Sequence, residues 1–105
     1  MTMAELTVIR WRDIPMQVVA RAGRGASARA LLSDRFQEAV DAAAMVDGLI
    51  DSDDYTAQMR MDTRPCGDDL EAEVRAEAAA LEADWTDEVL RATIRAGGAR
   101  GGEPV

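Results

Sequence analysis

The sequence predicts an α+β fold: a three-stranded antiparallel sheet of order 2-1-3, built in the order ββαβα, with two helices on one face. Three observations predict it. A run rich in β-branched residues, broken by a proline, fills Leu6 to Arg24; two long stretches carry apolar residues at helical spacing; and one stretch between them alternates with a period of two. The chain has 105 residues, which suits one domain with one modest core, and that domain is expected over residues 5–95.

The first strand is LTVIRW, where Leu6, Val8 and Arg10 alternate with Thr7, Ile9 and Trp11. Apolar groups on both faces suit a central position. Arg12-Asp13-Ile14-Pro15 supplies a break, because proline disfavours helix in the residue before it and cannot donate to a ladder. Met16 to Ala22 resumes the strand pattern and completes a hairpin. Gly23, Gly25 and Ser27 then predict an irregular loop carrying Arg21, Arg24 and Arg29.

Leu31 to Gly48 reads as the first helix, with Phe36, Ala39, Val40, Ala43, Ala44 and Val46 on one stripe and Ser33 and Asp34 as cap and first-turn acid. After the acidic turn Asp51-Ser52-Asp53-Asp54, the segment Tyr55 to Arg64 alternates strictly and reads as the third strand. It contains no β-branched apolar residue, and a helical turn competes. Asp68 and Asp69 open the second helix, whose stripe is Leu70, Val74, Ala78, Leu81 and Trp85. Thr86-Asp87-Glu88 is a cap signature for a short final helix. The tail, residues 96–105, is expected to be disordered.

Composition excludes much chemistry. Histidine is absent, which removes the usual neutral-pH base and the commonest metal ligand. Cys66 is the only cysteine, so no intrachain disulfide or CxxC zinc site can form. No signal-peptide run or membrane-length apolar stretch occurs, and the expected location is the cytoplasm. The net charge of -8 is unevenly spread: residues 1–36 hold six arginines against three acids, and the other 69 residues hold six arginines against 17 acids. That acidity argues against nucleic acid as a partner.

The candidate site is therefore the basic end. Arg21, Arg24 and Arg29 around Gly23-Arg24-Gly25-Ala26-Ser27 could hold a phosphate, a carboxylate or an acidic partner, although neither the P-loop nor the full dinucleotide fingerprint is present. Trp11, flanked by Arg10 and Arg12, is either core or an exposed anchor. The acids from Asp51 depart from a calcium loop, with Thr56 at the sixth position and Asp62 at the twelfth. Cys66 beside a helix start is placed for a lowered thiol pKa but has no activating base.

The stretches TVIRWRDIP, VVARAGR and LSDRFQEAVDAAAM resemble the virulence factor domain family, over most of residues 5–95. The same pattern resembles the C-terminal part of the longer proteins called conserved virulence factor C. The resemblance implies no catalytic residues; it implies company with folate and corrinoid methyl-transfer proteins and an accessory role in one-carbon metabolism. Residues and resemblance together lead to the expectation of a non-catalytic module without cofactors. It binds a larger protein through Arg10, Trp11, Arg12, Arg21, Arg24 and Arg29. The alternative is a small-ligand binder at the Gly23–Arg29 loop. A second copy is the candidate cover for the sheet's open face.

Overall fold

The computed structural model of the chain describes residues 4–23, 25–46, 48 and 53–100. Strand β1 (Ala4–Trp11) forms the expected hairpin with β2 (Ile14–Ala22), turning through Arg12 and Asp13, and Arg12 takes a left-handed φ of 54° to do so. Register moves from Ile9↔Gln17 to Arg10↔Pro15, which leaves Met16 as a bulge. Pro15 is tolerated because β2's other neighbour pairs only from Gln17 onward, so no partner there needs its missing N–H.

Among the described residues the sheet has four strands rather than three, and there are four helices rather than two. The added strand is β3 (Ala26–Leu31), in the segment expected to be loop and helix start. It pairs antiparallel with β2 from Ala22↔Ala26 to Gln17↔Leu31, and Gly23 and Gly25, at φ 57° and 79°, make the turn possible. ASARAL has no β-branched residue, so nothing local announces the strand; pairing with β2 creates it.

Helix α1 (Asp34–Val46) follows with Phe36, Ala39, Val40, Ala43 and Ala44 of the expected stripe buried, whereas Val46, in the last turn, is exposed. The stretch expected as one strand, Tyr55–Arg64, divides into the short helix α2 (Asp53–Ala57) and strand β4 (Met59–Cys66). The division has a tertiary cause: the Tyr55 carbonyl accepts the Trp11 indole N–H at 2.8 Å, and the two rings pack with centroids 5.6 Å apart. β4 runs on through Pro65, as an edge strand can. The sheet order is β3-β2-β1-β4, so β1 does lie between β2 and the strand after the first helix. The final two helices are α3 (Leu70–Asp84) and α4 (Asp87–Arg95). Their N-caps are Asp69, which accepts from the Ala72 N–H, and Thr86, which accepts from the Val89 N–H.

The core lies on one face of the sheet. Leu6, Val8, Val18 and Ala20 point into it from β1 and β2, and α3 packs over β1, β2 and β3, with α1 against β2 and α4. Phe36 meets Trp85 edge to face at 6.5 Å. Each large apolar side chain buried this way contributes roughly 1.5–3 kcal/mol. Glu82 of α3 joins α1 to this layer: it accepts the Ser33 backbone N–H at 2.6 Å, the Ser33 hydroxyl at 2.9 Å and the Arg35 guanidinium at 3.1 Å. Of the tail expected over 96–105, Ala96 to Arg100 form a turn that docks on the first hairpin, and residues 101–105 lie outside the described residues.

Candidate interaction surface

The other face of the sheet is built by alternation. Residues that pair across antiparallel strands share a face, so the partners Thr7↔Val19, Ile9↔Gln17, Val19↔Arg29 and Thr7↔Thr63 lie opposite to the core-facing set. On this face Ile9, Val19, Leu31 and Met61 form an apolar centre, and no described helix covers it. Leu31 is 74% exposed and Met61 69%. The Thr7 and Thr63 hydroxyls hydrogen bond at 2.9 Å, and Gln17 Oε1 is shut off from solvent with no partner among the described residues.

Arg21 and Arg29 stand on the same face. Arg21 pairs with Ser27, which places it diagonally beside Arg29, roughly 7–8 Å away for such neighbours. Both are exposed, and neither makes an ion pair with a described residue. Glu5, opposite Arg21, is the single acid among the described residues of this face. Arg24 lies outside the described residues. The segment read as an anion-holding loop, Gly23 to Arg29, is a tight turn running into β3.

Arg10, Trp11 and Arg12 sit elsewhere. Trp11 is fully buried, its indole N–H held by Tyr55. It is core and not an anchor. Arg12 stacks 5.0 Å above the Trp11 ring and donates to Gln58 Oε1 and, at 2.6 Å, to the Gly97 carbonyl. Arg10 donates to Asp62 at 2.7 Å and to the Asp13 carbonyl at 3.1 Å.

These contacts border an open cleft of about 380 Å³ that the residue pattern did not single out, lined by Arg10, Asp13, Arg60, Leu81, Asp84, Trp85 and Arg100. Each of its three arginines is ion-paired, Arg10 to Asp62 outside the lining. Arg60 meets Asp13 at 3.2 Å, and Arg100 meets Asp84 at 2.6 Å while lying 4.6 Å above the Trp85 ring. The Arg100 hydrogen bond holds the Asp84 carboxyl below its ordinary range. The return of residues 96–100 to the hairpin completes the cleft by bringing Arg100 to Asp84 and Asp13.

Little in the described residues favours covalent chemistry. Among the described residues no group of three or more Cys, Asp or Glu is arranged to hold a metal. Burial, and then the Glu73 carboxylate, push the Cys66 thiol up against a smaller downward pull from Arg64, opposite to the lowering that a place beside a helix start would give. At the N-terminus of α3 the Asp69 side chain accepts the Ala72 N–H. No helix among the described residues is long and apolar enough to cross a membrane.

A family model described as virulence factor matches residues 9–94. No curated protein and no solved structure matches the chain.

Proposed function

The chain belongs to the virulence factor family, and from that premise we propose that it is a non-catalytic accessory module that binds a larger protein through the uncovered face of its sheet. The observation that carries this reading is the pair Arg21 and Arg29, exposed and without an ion pair to any described residue, beside Ile9, Val19, Leu31 and Met61. By contrast, Arg10, Arg35, Arg60, Arg64, Arg75 and Arg100 each meet an acid of their own chain, and the two other exposed arginines without an ion pair to a described residue, Arg91 and Arg95, lie on α4 and not on the sheet. An apolar centre with free guanidinium groups at its rim suits a partner presenting apolar side chains bordered by carboxylates. The lack of histidine and the raised Cys66 thiol support a role without catalysis or cofactor. The family resemblance points to folate or corrinoid methyl-transfer proteins as the partner class, in the cytoplasm.

The test is capture from an extract of the native cell with the tagged full chain, against a variant carrying Arg21→Ala, Arg24→Ala and Arg29→Ala. The variant keeps its circular dichroism and loses the copurifying protein; undiminished capture rejects the reading. A second reading, a small phosphate or carboxylate compound held between Arg21 and Arg29, rests on their diagonal placement. It requires a thermal shift with phosphate or folate compounds that the same variant lacks, since ligand at about 100 times its dissociation constant stabilises by about 2.7 kcal/mol.

A further inference from the structure

The sheet order leaves two edges, β3 and β4, and they are built differently. β4 is guarded in the ways that edges usually are: Pro65 cannot donate, and Arg60, Asp62 and Arg64 alternate in sign and are tied to Asp13, Arg10 and Glu77. β3 carries no proline and no bulge, and it runs in straight register against β2 from Ala26 to Leu31. Its side chains are small except for Arg29 and Leu31, so another backbone can approach closely. Among the described residues nothing pairs with its outer N–H and C=O groups.

We propose that β3 pairs through this edge with β3 of a second copy of the chain, antiparallel about a twofold axis at Ala28. Symmetry restricts the choice, because opposite residues must share a face and so the axis must pass through a residue. An axis at Arg29 sets two guanidinium groups directly opposite each other. An axis at Ala30 draws on Leu32, which is committed to its own core. An axis at Ala28 uses Ala26 to Ala30 in full, and sets Ser27, an acceptor, opposite Arg29 of the second copy on both sides of the axis. It also lays the exposed Leu31 over Gly25 of the second copy, where no side chain stands.

The outcome is one continuous sheet of eight strands, with Arg21 and Arg29 of both copies on a single face. A pairing of this length buries less than the roughly 1,200 Å² of a standard interface, so the dimer depends on concentration. The inference adds to the partner reading without depending on it. Self-association is measured on the purified chain and partner capture in extract, so either can fail alone.

Sedimentation of the purified full chain between about 10 µM and about 1 mM tests it. The expected result is a monomer–dimer equilibrium in which Ser27→Lys, opposing Arg29 of the second copy, weakens the dimer, and Ser27→Asp tightens it, each by about threefold to tenfold. Ser27 is exposed, so both variants keep the fold, which circular dichroism checks. Met61→Lys, on the uncovered face but at the far edge, leaves the equilibrium unchanged. A monomer at all concentrations, a dimer indifferent to the sign at residue 27, or a dimer lost in Met61→Lys, as face-to-face stacking requires, each overturns the proposal.

Discussion

Glu82 shows how much one carboxylate can hold when three donors converge on it. Burial raises its pKa, but the Ser33 backbone N–H, the Ser33 hydroxyl and the Arg35 guanidinium together outweigh that and hold it below the ordinary glutamate range. The Ser33 hydroxyl is drawn to α3 instead of capping α1, so the start of one helix is fastened by the side of another. A carboxyl depressed in the folded state contributes stability that is fully present above its unfolded pKa and is lost as pH falls through the folded one. Its side chain is 33% exposed, so solvent screening keeps the contribution small. Glu82→Gln is expected to lose about 1 kcal/mol at pH 7, or roughly 4–8 °C in Tm. The difference from the parent should shrink as pH drops below the glutamate range, and urea unfolding at neutral and acid pH measures it. A difference that stays constant with pH removes the charge from the account.

Among the elements, those with strong periodic patterns were legible and those made by tertiary contact were not. The hairpin, α1 and α3 follow from β-branched runs, a proline break and apolar stripes. β3 does not, because Ala-Ser-Ala-Arg-Ala-Leu carries no local preference for a strand and becomes one against β2. The alternation in Tyr55 to Arg64 suits a strand, yet its first part winds into α2 to put Tyr55 against Trp11. For the surface, the glycines around Arg24 suggest an irregular loop reaching Arg29, but the chain reverses between Ala22 and Ala26 and Arg29 stands on strand β3. No pattern near Trp11 revealed that it would be enclosed, since much of its cover comes from Tyr55 and the Gly98 backbone, far along the chain. There the Asp13 N–H donates to the Gly98 carbonyl at 3.1 Å and the Arg100 N–H to Asp13 Oδ2 at 2.8 Å. A Cβ on Gly98 would come within 2.9 Å of the Trp11 ring, at a φ of 106°. Truncation after Arg95 is accordingly expected to cost about 2–4 kcal/mol from the Arg12 and Asp13 hydrogen bonds and the lost cover of Trp11. Trp11 fluorescence, read in a Trp85→Phe background, should shift to the red. A truncated chain that unfolds at the same temperature would show the turn to be a passive appendage.

At the scale of the whole molecule, two electrostatic effects oppose each other when a partner with carboxylates approaches. The net charge of -8 repels it at long range, while Arg21 and Arg29 attract it at contact. Their ranges differ, and that decides the salt dependence. At about 0.1 M ionic strength the Debye length is about 10 Å, so repulsion from the distant acidic helices is already largely screened, whereas a contact partly shielded from solvent is screened much less. Adding salt from about 0.02 M to about 0.1 M should therefore strengthen capture, and going on to about 0.5 M should weaken it. The charge reversal Arg21→Glu with Arg29→Glu removes the attraction and leaves the repulsion, so what binding survives should only rise with salt. Association rates carry most of this effect, because long-range charge acts on encounter more than on residence. Affinity that falls steadily from the lowest salt upward, as for a basic protein on a polyanion, would mean that the distant acids are not felt and that a surface other than this face makes the contact.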